Sequence, residues 1–141
     1  MPSNATSVIF RHRSPSIDRR DLRQFFKDLA QEILPGQGVN CLIAADKELQ
    51  SLNRKFRGKG YAADVLSFPP DDIAISFDRA AAQASELGHS VEIEVRILML
   101  HGLLHLAGMD HETDRGAMAR AEARWRKRLG LPSGLIERTP V

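Results

Sequence analysis

The stretch HGLLHLAGMDH, residues 101–111, holds three of the chain's five histidines: His101, His105 and His111. His101 and His105 are four residues apart, so on a helix both rings project from one face. Two imidazoles so placed can reach one metal at ~2 Å each. Gly108 lets the chain turn sharply out of the helix and return His111 to the same point. Three neutral nitrogen donors around an open fourth position are the layout of a catalytic zinc rather than a structural one. Three buried, unpaired rings would be costly as plain core, whereas one metal satisfies all three.

The spacing His-x3-His-x2-Gly-x2-His is also that of the metzincin proteases, which use a glutamate directly after the first histidine as the base for water. Here that position is Gly102, so a peptidase of that mechanism lacks its general base. A second segment, LNRKFRGKG, gathers Arg54, Lys55, Arg57 and Lys59. Such residues can hold flanking phosphates, and equally can form a solvated patch favoured by a helix C-terminus. The GKG within it is no phosphate-binding loop, since the preceding glycine and the following Ser or Thr are missing. No Ser-His-Asp triad is discernible, and Cys41 reads as a small core residue. Asp110, just before the third histidine, reads as an orienting acceptor for an imidazole, as the missing base, or as a turn residue.

These groups need a scaffold. TSVIF (6–10) and VNCLIA (39–44) read as strands, and 16–34 as a helix with Leu22, Phe25, Phe26, Leu29 and Ile33 on one face, capped by Ser16 or Asp18. DKELQSLNRKF (46–56) reads as a short helix turning Leu49, Leu52 and Phe56 inward. DVLSF (64–68) and DIAIS (72–76) read as a hairpin around a PPD turn, and 77–88 as a helix closed by Gly88. Ser90 caps the histidine helix, with Glu92 and Glu94 at its positive end. That helix is apolar almost all round and ends at Gly108, which marks it as the buried central helix. A last helix, about 113–129, packs through Met118, Ala121, Trp125 and Leu129. Its Arg120, Arg124, Arg126, Lys127 and Arg128 fit the negative end of a helix dipole better than an RNA-binding stripe.

The chain's 141 residues suit a single domain, 1–141, of class α+β, with about four strands in a small mixed sheet. Its one cysteine permits no internal disulfide and suits a reducing cytoplasm. No apolar run approaches the ~20 residues that span a bilayer, and the N-terminus lacks a secretory pattern. Net charge is +2, so a nucleic-acid partner has to be argued from where the 20 Lys and Arg sit.

HGLLHLAGMDH resembles the H-G-x-L-H-L-x-G-x-D-H signature of the YbeY family, bacterial metal-dependent endoribonucleases of rRNA maturation. LNRKFRGKGYAADVLSFP is similar to that family's L-N-x-x-[FY]-R-G-K-x-x-x-T-D-V-L-S-F-P, and Asp72-Ile73 and Glu92 agree as well. The chain departs from the pattern at Gly60, Ala63 and Asp71, around the 58–72 loop. The resemblance implies a zincin-like α+β domain and one zinc bound by His101, His105 and His111. It also implies cleavage of single-stranded rRNA in ribosomal precursor particles, with ribosomal proteins or assembly GTPases as partners. The family's functional arginine maps onto Arg57, a permanent bidentate cation suited to the charge that builds on phosphorus oxygens during cleavage. Ser67 and Lys59 are candidates to touch substrate. Two other readings stand beside this one: a metallopeptidase-like hydrolase, disfavoured by Gly102, and a non-catalytic ribosome-assembly factor with a structural zinc, disfavoured by the three-ligand set.

Overall fold

The computed structural model describes residues 5–12, 17–58, 63–110 and 115–132. Four strands form one mixed sheet. β1 (Ser7–Phe10) pairs in parallel with β2 (Asn40–Ala44), and β2 in parallel with β4 (Asp72–Ser76). β3 (Val65–Phe68) returns antiparallel to β4 as the expected hairpin, giving the order β1-β2-β4-β3.

Side chains alternate across these strands, so the sheet has two faces. Cys41, Ile43, Ile73 and Ile75 enter the larger core, whereas Leu66, Ala74 and Ala44 enter a smaller one. α2 (Asp46–Arg57) covers the smaller core with Leu49 and Leu52. Over the larger core lies α4 (Val91–Leu106), joined there by α1 (Arg19–Ile33) and α3 (Phe77–Leu87).

α1 forms because its apolar residues recur at helical spacing and bury Leu22, Phe26, Leu29 and Ala30. Its cap is Asp18, whose side chain accepts from the Asp21 N–H. α4 is capped by Ser90, whose hydroxyl accepts from the Ile93 N–H, and it carries a run of buried residues from Glu94 to Leu104. Each fully buried Leu or Met on it contributes about 1.5–3 kcal/mol. α4 is tied to α1 within its first two turns: Glu92 accepts from the Asp18 N–H and Arg96 pairs with Asp21.

Two expectations need correcting. α5 spans Ala117–Leu129 rather than starting near 113, because Arg115 (φ 56°) and Gly116 (φ 87°) both sit in the left-handed region and cannot belong to a right-handed helix. Residues 113 and 114 lie outside the described residues. Phe56 does not point inward but is 60% exposed, its ring meeting Phe68 edge-on at 5.9 Å. The reason is coverage, since α2 is the one described helix packed on that smaller core and fills it with Leu49 and Leu52, leaving Phe56 at its margin. No described helix is long and apolar enough to cross a membrane.

Candidate active site

α4 places His101 and His105 on one face, as their spacing requires. His101 is buried, 5% exposed, and His105 is half-buried. Their rings meet edge-to-face with centroids 4.8 Å apart. Two imidazoles on one tetrahedral ion, at ~2.0–2.1 Å per nitrogen, hold their ring centres roughly 5 Å apart. The observed separation of the two ring centres is of that size.

Gly102 shows why the residue after the first histidine is small. A Cβ there would stand 3.0 Å from Ile73 Cγ2 and 3.1 Å from its Cδ1. The glycine lets α4 approach β4 closely, and the Gly102 carbonyl accepts from the Ser67 hydroxyl at 3.3 Å. Ser67, a candidate to touch substrate, thus joins the edge strand β3 to the histidine helix.

The helix then ends as the sequence suggested, although its last regular residue is Leu106. Gly108 has φ 94°; its N–H donates to the His105 carbonyl at 2.9 Å, and the Met109 N–H donates to Leu104 at 3.1 Å. This left-handed closure ends the helix. Asp110 follows it, exposed. His111, the expected third ligand, lies outside the described residues, as do Lys59 and Gly60. Among the described residues, no three His, Cys, Asp or Glu form a group able to hold a metal.

Sequence reasoning missed Glu122. It lies on α5, is fully buried, and its Oε2 is 2.8 Å from His101 Nδ1. A signal was there to read: Glu122 is a carboxylate on the helix's apolar stripe, four residues after Met118 and three before Trp125. Glu94, also fully buried, meets His89 Nε2 at 2.7 Å near the other end of α4.

Arg57 is the last residue of α2, closed by Gly58 in the left-handed conformation. The Arg57 side chain lies outside the described residues. Its neighbour Phe56 packs on Phe68 on one face of the sheet, while the adjacent Ser67 meets α4 on the other, so the end of α2 and the histidine helix contact β3 from opposite faces. Cys41 is fully buried, and burial pushes its thiol well above the usual range, which leaves it protonated and chemically inert. Part of the α5 basic run has structural partners: Arg128 bonds Glu32 at 3.0 Å and lies 4.9 Å over the Trp125 ring, and Arg120 donates to the Arg115 carbonyl.

Fold and site together define a small α+β domain whose polar centre sits on the buried helix, where that helix crosses β4 and the edge strand β3. Comparisons with known proteins agree. The family model described as "Endoribonuclease YbeY" matches residues 8–130. An endoribonuclease YbeY of Solibacter usitatus is 53% identical over 138 residues, covering 94% of both chains. One of Koribacter versatilis is 55% identical over 107 residues, covering 72% of this chain and 70% of its own. The solution structure of a Thermotoga maritima protein shares the fold at a TM-score of 0.56 and 23% identity, covering 90% of this chain and 97% of that one. The chain belongs to the YbeY endoribonuclease family, and so is an enzyme acting on RNA.

Proposed function

We propose that residues 1–141 act as one zinc-dependent endoribonuclease domain that cuts single-stranded regions of rRNA precursors in the cytoplasm, during ribosome maturation. The observation that carries this reading is the His101–His105 pair, two imidazoles 4.8 Å apart on a buried helix, in a chain of an endoribonuclease family. His101, His105 and His111 would hold one zinc ion. When bound, zinc supplies Lewis acidity, polarising a phosphoryl oxygen and letting water ionise near neutral pH.

The chain's own residues do the rest. Arg57 stabilises the negative charge that builds on the phosphorus oxygens, and as a guanidinium it does so at any working pH. Lys59 holds a flanking phosphate. Ser67, half-buried on the edge strand, is a candidate to touch substrate, and Asp110, next in sequence to the third histidine, is a proton acceptor or orienting group. Ribosomal precursor particles are the substrate, and ribosomal proteins or assembly GTPases are partners consistent with that setting.

A peptidase reading has no support at Gly102. The glutamate such enzymes use at that position would meet Ile73 at its first side-chain carbon. The test is cleavage of a single-stranded rRNA fragment by wild type and Arg57→Ala, with zinc measured on the same samples. We expect Arg57→Ala to keep its zinc and lose about 10²–10³ in rate, as on removal of one charge-stabilising donor. Unchanged cleavage in a zinc-loaded Arg57→Ala would reject the role of the arginine and move the assembly-factor reading forward.

A further inference from the structure

A carboxylate fully removed from water is costly unless it is ionically or hydrogen-bond paired. Glu122 is such a group, at 0% exposure on the apolar face of α5, with Met118 and Ala121 buried in the core beside it. Its position is not required by the packing of α5, which a leucine or methionine would serve at least as well. What the carboxylate does do is meet the Nδ1 of His101 at 2.8 Å across the α4–α5 interface.

The chemistry of that contact has a direction. An ionised carboxylate only accepts, so the bond requires the proton on Nδ1 of the imidazole. A neutral ring has one N–H, and placing it on Nδ1 makes Nε2 the nitrogen with a lone pair to give. A carboxylate on the far nitrogen also pins the ring plane and makes the ligating nitrogen more basic. We infer that Glu122 is a positioning residue for the metal site: it selects the His101 tautomer and orientation that offer Nε2 to the ion. The inference rests on the proposed zinc site and deepens it, naming a residue of α5, outside both sequence motifs, on which that site depends.

The substitution Glu122→Gln keeps size and shape but loses the charge, and its amide can turn either its oxygen or its NH2 group to Nδ1, so nothing fixes the imidazole proton there any longer. On the full chain, zinc affinity is measured by chelator competition for wild type, Glu122→Gln and His105→Ala. The imidazole ¹⁵N shifts of His101 are recorded in the metal-free wild type. We expect Glu122→Gln to fold, with an unchanged urea midpoint or a modest loss, and to bind zinc about 10–100-fold more weakly. We expect the ¹⁵N pattern of an Nδ1–H imidazole in the wild type.

Zinc affinity unchanged in a folded Glu122→Gln overturns the inference, while loss of zinc in His105→Ala shows that the metal site itself stands. Wild type that binds no zinc removes both. The tautomer is read on unsubstituted protein, so an Nε2–H pattern there rejects the positioning role even if Glu122→Gln fails to fold.

Discussion

Gly102→Ala sets two effects of known sign against each other. In a helix interior alanine is favoured over glycine by about 1 kcal/mol. Against this, the added Cβ would stand 3.0, 3.1 and 3.3 Å from Cγ2, Cδ1 and Cγ1 of Ile73, all closer than ordinary contact. Ile73 is 2% exposed, and its strand is held on both sides, by β2 and by β3. Cγ2 branches directly from Cβ, so rotating the side chain exchanges one close contact for another. Overpacking of this kind costs about 1–3 kcal/mol. The clash therefore wins, and Gly102→Ala is expected to lose about 1 kcal/mol in urea denaturation rather than gain it. Ile73→Ala removes all three offending atoms and by itself costs about 2–5 kcal/mol as a cavity. In the Gly102→Ala background that cost should shrink by about 0.5–3 kcal/mol, the coupling expected of side chains in contact. A Gly102→Ala variant more stable than wild type, with additive behaviour toward Ile73→Ala, would refute the close-approach argument.

Two further outcomes follow from the same structure. Cys41 is fully buried and its thiol is raised by burial, so it should resist alkylation by iodoacetamide at neutral pH in the native protein and react once the chain is unfolded in urea; rapid native labelling would contradict the burial. Ser90→Ala removes the hydroxyl that accepts from the Ile93 N–H, and thermal or urea unfolding should show a loss of about 1 kcal/mol, with His101 and His105 at the opposite end of α4 and zinc affinity little changed.

Local pattern carried much of this architecture. The α1 face of Leu22, Phe26 and Leu29 and the all-round apolar α4 were legible because helical spacing and burial coincide there. So was the β3–β4 hairpin, whose strands are separated by one short turn. The strand order was not legible: β2 pairs with β4 across α2 and β3, a parallel contact that no local periodicity encodes. Phe56 was misread because helical spacing gives the face a residue shares, not how far the covered sheet extends beneath it. At the site, the spacing of His101 and His105 was enough to place both rings on one face of α4. Glu122 escaped because its partner is 21 residues away on another helix; only an acid within an apolar stripe hinted at it.

The central claim is that His101, His105 and His111 hold a zinc ion on which RNA cleavage depends. Its most direct test is elemental analysis of the purified full chain, as wild type and as His105→Ala, with cleavage of a single-stranded rRNA fragment followed on the same samples. The account predicts one zinc per wild-type chain, and loss of both zinc and cleavage in a His105→Ala protein that still folds. Cleavage that survives loss of the metal, or one zinc retained in full by His105→Ala, would contradict it.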